Sequence, residues 1–335
     1  MIRDRIATAR DYNGLMRMIL SGLLVAAATL AAQDATTPDA HVALAKAAAG
    51  DDFQNLFNFQ CYGPGPGGPR AAAGAPRGQR PAGQRPPGPP DRSTWYAEPV
   101  KVFDNLYFFG QSEYAVWAIT TSQGIIVIDT IFDYSVEEEV AGGMKKLGLD
   151  PANIKYAIVT HAHPDHDGGA KFLQDHYGTR VIMSPADWDV LDKRTNGTKP
   201  KRDLEATDGQ KLTLGDTTVT IYITPGHTPG TLSVVFPVKD MGTPHVAALW
   251  GGVGLNQDRE SVQTYIRSVE RFSGIVREAG ADIIFANHTD WDRSKINLPM
   301  LAKRAPGSPN PYVVGNARVL NFLKVAEECA TSRVN

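Results

Sequence analysis

Thr160-His161-Ala162-His163-Pro164-Asp165-His166-Asp167-Gly168-Gly169 is the stretch on which the reading of this chain turns. It brings His161, His163, Asp165 and His166 together directly after Ile154-Lys155-Tyr156-Ala157-Ile158-Val159, an apolar run with the length and composition of a buried strand. Imidazole nitrogens and carboxylate oxygens are the donors that zinc and related divalent ions prefer, and a strand running out into a loop aims alternate side chains at one point. His161 and His163 share a side if extended geometry persists past Thr160, while Asp165 and His166 reach from the turn toward a second ion. Gly168 and Gly169 carry no side chain to block such a site, and a helix is expected to start there. A solvated loop with chance histidines is the bland alternative, and the downstream sequence argues against it.

Downstream, His227 stands in Thr224-Pro225-Gly226-His227-Thr228-Pro229-Gly230. Proline ends the preceding strand, and the glycines permit a tight loop behind the imidazole. His288 follows Asp282-Ile283-Ile284-Phe285-Ala286-Asn287, which reads as a strand, preceded by a helix with Val262, Tyr265, Ile266, Val269, Phe272 and Val276 on one face. Between these histidines, Gly251-Gly252-Val253-Gly254-Leu255-Asn256 contains no strong metal ligand, so a second ion must take its third protein ligand elsewhere, and His288 is the candidate. His41, His176 and His245 lack comparable surroundings and are expected at surface or core positions.

The spacing H-x-H-x-D-H resembles the signature of the metallo-β-lactamase superfamily. Gly124-Ile125-Ile126-Val127-Ile128-Asp129-Thr130 is similar to that family's early strand ending in Asp, and the loop around His227 is similar to its next ligand loop; the resemblance covers about residues 98 to 300. It implies an α/β fold, a four-layer αββα sandwich with two sheets face to face, helices outside and metals at one edge. It also implies that His161, His163 and His227 hold one zinc and Asp165, His166 and His288 another. Asp129 reads as a carboxylate orienting a ligand histidine from behind, with a simple turn or helix cap as the other reading. A histidine-rich set with no cysteine and no later bridging aspartate resembles the third subclass of metallo-β-lactamases. It differs from the glyoxalase-like and ribonuclease-like branches, which carry that aspartate, and from the flavodiiron branch, which has Glu where His163 stands.

The function so implied is dinuclear zinc hydrolysis, in which a metal-bound hydroxide, oriented by Asp165, attacks a carbonyl, a β-lactam amide first of all. Lactones, esters and thioesters would yield to the same machinery. A mononuclear iron dioxygenase on the same fold would use only part of the ligand set, and a non-enzymatic metal carrier would not keep positions open for water.

Around this core the chain divides by composition. With 335 residues, 42% hydrophobic and 21% charged, it can bury a full core, and a formal net charge of −2 gives no electrostatic reason to expect nucleic acid. A small-molecule substrate is the expected partner. Residues 1–32 read as a secretory signal peptide: Arg3, Arg5, Arg10 and Arg17 precede a short apolar run from Ile19 to Ala32 that exits through small residues. The mature protein is then periplasmic or secreted, with an uncleaved anchor as the rival reading. No later apolar segment is long enough to span a membrane. Residues 33–62 suggest a helix interrupted near Gly50. Residues 63–92 form a disordered tether: nine prolines and eight glycines fall between Gly63 and Pro90, with four arginines and no acid, a composition that cannot offset its chain entropy by burial. A polyanion-binding arm is the second reading of that segment. Residues 93–335 are the catalytic domain. In an oxidising compartment Cys61 and Cys329 either pair, tethering the N-terminal segment to the last helix, or remain two free thiols. Within the domain, Ser135-Val136-Glu137-Glu138 fits a capping box at the start of a helix, and Gly215-Asp216 a hairpin turn.

Overall fold

The computed structural model describes residues 37–63 and 88–334. The expected signal segment, and the tether from 64 to 87, lie outside these residues. Among the described residues no helix is long and apolar enough to cross a membrane.

Side-chain parity explains the layering. In Trp117–Thr121 and Gly124–Ile128, the alternate residues Trp117, Ile119, Ile126 and Ile128 enter the core between two sheets. Their neighbours Ala118, Ile125 and Val127 face the opposite way, toward Val136, Val140, Met144 and Leu173 of the outer layer. A strand repeats every two residues, so a run apolar on both parities must be covered on both faces. The second sheet follows the same rule. Leu232, Val234, Phe236, Ala247, Leu249, Ile283 and Phe285 point inward, while Ala248, Trp250, Ile284 and Ala286 pack with Tyr265, Val269, Phe272, Phe322 and Leu323 of the helices outside. Each fully buried Val, Leu, Ile or Phe side chain among them contributes roughly 1.5–3 kcal/mol. The expected αββα sandwich is the architecture observed.

The first sheet has the order β1 (Val100–Phe103), β2 (Leu106–Phe108), β3 (Trp117–Thr121), β4 (Gly124–Ile128), β5 (Ile154–Ile158), β6 (Arg180–Met183) and β7 (Leu204–Glu205). It is antiparallel up to β4 and parallel from β4 to β7. The second runs β12-β11-β10-β9-β8, from β8 (Gln210–Leu214), β9 (Thr217–Ile223), β10 (Leu232–Asp240) and β11 (Thr243–Trp250) to β12 (Ile283–Ala286), with only β11 and β12 parallel. Helices α1 (Pro38–Ala49) and α2 (Gln54–Tyr62) form an N-terminal pair, broken at Gly50 (φ 50°), where a side chain would be strained. Then come α3 (Gly143–Lys146), α4 (Pro164–Asp167), α5 (Ala170–Tyr177), α6 (Pro185–Lys193), α7 (Arg259–Glu278), α8 (Ser294–Leu301) and α9 (Asn316–Thr331). The pair α1–α2 packs on α9, and Cys61 is disulfide-bonded to Cys329, so of the two readings open in the sequence the structure has the pairing.

Three sequence expectations need adjustment. Ser135 is no cap: its hydroxyl donates to the Phe132 carbonyl and accepts from Gln111 Nε2 at 2.8 Å, and Glu137–Gly142 opens as a wide π-helical turn before α3. The buried Gln111 competes for the hydroxyl that a cap would need. The body also begins ahead of residue 93: Trp95 Nε1 donates to the Pro90 carbonyl, Asp91 caps the turn Arg92–Thr94, and Arg92 pairs with Glu138. Finally, Gly168 and Gly169 serve packing rather than openness. A Cβ at Gly168 would lie 2.5 Å from the Pro164 carbonyl oxygen, and one at Gly169 2.3 Å from that of Thr130, so both let α4 and α5 press against the Thr130–Val136 turn.

Candidate metal centre

Several loops converge at one edge of the sandwich. β4 ends at Ile128, and Asp129 turns sharply there with φ 62°. β5 ends at Ile158; Thr160, His161 and His163 follow, with His163 still extended (φ −121°, ψ 144°) before Pro164 starts α4. Proline at the first helical position lacks the N–H that would be orphaned anyway, so the change from strand to helix falls at His163. Asp165 and His166 therefore sit on a short helix, not on a simple turn. His227 comes from the β9–β10 loop, and His288 follows β12, where it bridges to Tyr114.

The candidate ligand atoms of His161, His163 and His227 lie within 4.8 Å of one another, and so do those of Asp165, His166 and His288. His161 and His166 are fully buried, whereas the Asp165 and His288 side chains are 22% and 16% exposed, leaving one approach open. The remaining histidines are elsewhere: His41 pairs with Glu328, His245 with Asp282, and His176 stacks on Phe172.

The hydrogen bonds behind the rings fix which nitrogen faces inward. The single hydroxyl proton of Thr160 goes to Asp129 (2.8 Å), so its lone pairs must accept from Asn287 Nδ2 (3.1 Å) and from His161 Nδ1 (3.1 Å). His227 Nδ1 donates to the Gly254 carbonyl at 2.8 Å, and His166 Nδ1 donates to Asp129 Oδ2 at 2.9 Å. With each Nδ1 a donor, Nε2 of a neutral ring presents a bare lone pair, as on His161 and His227. His161 Nε2 and His227 Nε2 stand 3.2 Å apart, and His166 Nε2 is buried with no hydrogen-bond partner. Lone pairs facing one another at that distance repel unless a cation lies among them. The residues fit divalent metal, and an acceptor hydrogen-bonded behind each imidazole is the usual arrangement at such centres.

Electrostatics point the same way. Burial, reinforced by the surrounding imidazoles, lowers His161 well below its usual value and His227 to about 3, so both stay neutral. Burial also disfavours charge on His166, but Asp165 and Asp129 on either side outweigh it and lift the ring to about 10. Burial opposes the Asp165 charge too, yet His166 and His288 hold that carboxyl well below the usual range. The pocket thus retains positive charge at neutral pH, as a proton on His166 or, in exchange, as a metal cation.

Some of the supporting residues carry no sequence signal of their own. Asp187, fully buried on α6, accepts from Ala162 N (2.9 Å) and Thr228 Oγ1 (2.8 Å) through Oδ2 and from Gly230 N (2.7 Å) through Oδ1. One carboxylate thereby ties the His161–His163 loop to the His227 loop. Arg194 forms a bidentate pair with buried Asp167 and donates to the Ala162 carbonyl at 3.0 Å, so the peptide groups between the two histidines are held on both sides. Asn287 donates to the Gly251 carbonyl at 2.7 Å. The glycines after β11 allow a close approach: a Cβ at Gly252 would lie 2.6 Å from His227 Cβ, and one at Gly254 2.9 Å from His227 Cε1. The loop packs directly on the imidazole. A motif search could have flagged Asp167 by its place beside the ligands; Asp187 had no such flag.

The chain is also similar to known proteins. A family model described as the Metallo-beta-lactamase superfamily matches residues 110–241. A hydroxyacylglutathione hydrolase of Neisseria meningitidis is 30% identical over 179 residues, which are 50% of this chain and 66% of that protein. The N-acyl homoserine lactonase AttM of Azorhizobium caulinodans is 23% identical over 184 residues, 48% of this chain and 68% of its own length. Among solved structures, BJP-1, a subclass B3 metallo-beta-lactamase of Bradyrhizobium japonicum, superposes with a TM-score of 0.58 and 26% identity over 69% of this chain and 91% of that one. With two face-to-face sheets, a six-residue donor set at their shared edge and these likenesses, the chain belongs to the metallo-β-lactamase superfamily.

Proposed function

We propose that this protein is an exported metal-dependent hydrolase that binds two zinc ions and opens the amide of a β-lactam. The observation that carries the reading is the inward convergence of two three-residue donor groups, His161, His163, His227 and Asp165, His166, His288, with Nδ1 already engaged on His161, His227 and His166. When bound, divalent cations at such a site supply Lewis acidity and bring the pKa of water from about 16 toward neutrality.

The chain's own residues do the rest. Thr160, Asp129 and Gly254 hold three imidazoles by Nδ1 with Nε2 turned inward, so no ring has to rotate when a ligand arrives and only the second proton of His166 has to leave. Asp165, a carboxylate kept ionised and partly open to solvent, is placed to accept a hydrogen bond from an attacking water and to orient it. Tyr114 and Trp291 close around His288, with ring centroids 4.9 and 4.0 Å away, and limit water on that side.

The choice of a β-lactam is supported by the cysteine-free donor set and by the likeness to BJP-1. A second reading, hydrolysis of a thioester or lactone, is favoured by the likeness to the hydroxyacylglutathione hydrolase and to the lactonase. Export is supported by the basic and apolar N-terminal run and by the Cys61–Cys329 disulfide, a bond that persists in oxidising compartments. Metal analysis of the purified protein, together with rates on a cephalosporin, a lactone and a thioester, tests the proposal. Two zincs per chain with cephalosporin turnover supports it, and turnover of only the lactone or thioester selects the second reading. One iron with oxygen uptake, or tightly held metal with no turnover, overturns both.

A further inference from the structure

The N-terminal pair α1–α2 precedes the sandwich in sequence, yet it reaches the centre at two points. Gln60 is buried at 1% exposure, and its Nε2 donates to the Val253 carbonyl at 2.6 Å and to the Tyr265 hydroxyl at 2.8 Å. Val253 immediately precedes Gly254, whose carbonyl fixes His227 Nδ1. Tyr265 also backs the loop that carries His227: a Cβ on Gly226 would lie 2.5 Å from Tyr265 Cα. Gln60 Oε1 has no hydrogen-bond partner. Gln60 Nε2 satisfies the buried Val253 carbonyl, which an apolar side chain of the same size would leave with one donor fewer, so the glutamine fixes where that peptide group sits. One residue earlier, Phe59 stacks on Trp291 (4.7 Å), which in turn packs on His288 (4.0 Å). One residue later, Cys61 is bonded to Cys329 on α9, and Arg333 donates to the Gln60 carbonyl.

We propose that α2 is a working part of the metal centre: Gln60 positions His227 through the Val253–Gly254 backbone, Phe59 positions His288 through Trp291, and the Cys61–Cys329 disulfide holds both in register. This rests on the reading of His227 and His288 as metal ligands. Neither Gln60 nor Phe59 touches substrate or metal; both act through another residue. Because the segment from 64 to 87 separates α2 from the sandwich in sequence, the disulfide supplies a second covalent connection between α2 and the body.

The test uses the full chain, loaded with zinc and separately with cobalt(II). Gln60→Met keeps the volume and removes the hydrogen bonds. The expected result is a metal dissociation constant at least tenfold weaker and a changed cobalt absorption spectrum, the usual consequence of disturbing the outer contact of a ligand histidine, here the Gly254 carbonyl on His227 Nδ1, while circular dichroism stays native. Phe59→Leu is expected to weaken the second ion more than the first. If Gln60→Met does not fold, wild-type protein reduced with a phosphine carries the same test, since freeing Cys61 should loosen both contacts. A wild-type dissociation constant and cobalt spectrum in Gln60→Met, or in the reduced protein, overturns the proposal. His227→Ala separates the two levels. If it also leaves metal binding intact, the ligand reading itself has failed; if it abolishes first-site binding while Gln60→Met changes nothing, only the role of α2 has failed.

Discussion

Replacing Asp187 by Asn tests whether one buried carboxylate holds two ligand loops together. In the native protein it accepts three hydrogen bonds, from Ala162 N, Thr228 Oγ1 and Gly230 N. Burial raises its pKa while those donors lower it, so the side chain balances desolvation against three aligned dipoles. An asparagine can keep its oxygen toward Ala162 and Thr228 and turn its NH2 on the Gly230 N–H, or the reverse. The Thr228 hydroxyl can rotate to accept, but a backbone N–H cannot, so either orientation leaves one buried amide facing another donor. An unmade buried hydrogen bond costs roughly 1–3 kcal/mol, and losing charge assistance on the others adds about 1 kcal/mol more. The expected destabilisation is about 2–4 kcal/mol for Asp187→Asn, and more for Asp187→Ala, which abandons all three donors. Because the loops carry His161, His163 and His227, metal should also bind more weakly at the first position than at the second. Urea denaturation with and without zinc, and zinc titration of the folded variants, measure both quantities. A loss below about 0.5 kcal/mol, or an Asn variant less stable than the Ala variant, would refute the account, since surface changes fall in that range.

Three further outcomes are expected. Asp165→Asn should cut turnover by orders of magnitude and weaken the second metal position; unchanged metal content and rate would remove its assigned role. The zinc-stripped protein should be most stable near pH 6–7. His227, held at about 3 against the usual 6.5 of an imidazole, is protonated in the unfolded chain first, so its contribution, on the order of 5 kcal/mol, is complete above pH 6.5 and lost as pH falls toward 3. His166, raised to about 10, contributes below pH 6.5 and loses that contribution as pH rises toward 10, and thermal denaturation across pH in chelator measures the balance. Gly252→Ala places a Cβ 2.6 Å from His227 Cβ and 2.9 Å from Thr231 Cγ2, so zinc affinity should fall before the fold does; a zinc titration matching wild type would show that the loop yields without cost.

Much of the architecture was legible because it is periodic. Ile125-Ile126-Val127-Ile128 announces a strand covered on both faces, and Val262, Tyr265, Val269, Phe272 and Val276 announce one face of a helix; in the structure the first splits between two cores and the second lies buried on α7. The capping box at Ser135 misled because a four-letter pattern cannot report that Gln111, 24 residues away, takes the hydroxyl. Gly168 and Gly169 read as leaving a metal site unblocked, and Gly252 as part of a stretch without ligands, whereas all three make room for packing. What a glycine leaves room for is decided by neighbours far along the chain, here the Thr130–Val136 turn and His227.

By itself the sequence determined the residue chemistry and the local geometry: four donors crowded into H-x-H-x-D-H, a histidine in a Pro-Gly loop, another at a strand end, and strands of known parity. Those properties depend on spacing along the backbone, which is written in order. Only the tertiary structure decided that Asp187 joins two loops 66 residues apart at His161 and His227, that Cys61 meets Cys329 across 268 positions, and that Gln60 reaches Val253. Such contacts are made when sheets and helices pack, and no periodicity in the chain encodes which distant partner a buried polar group will find.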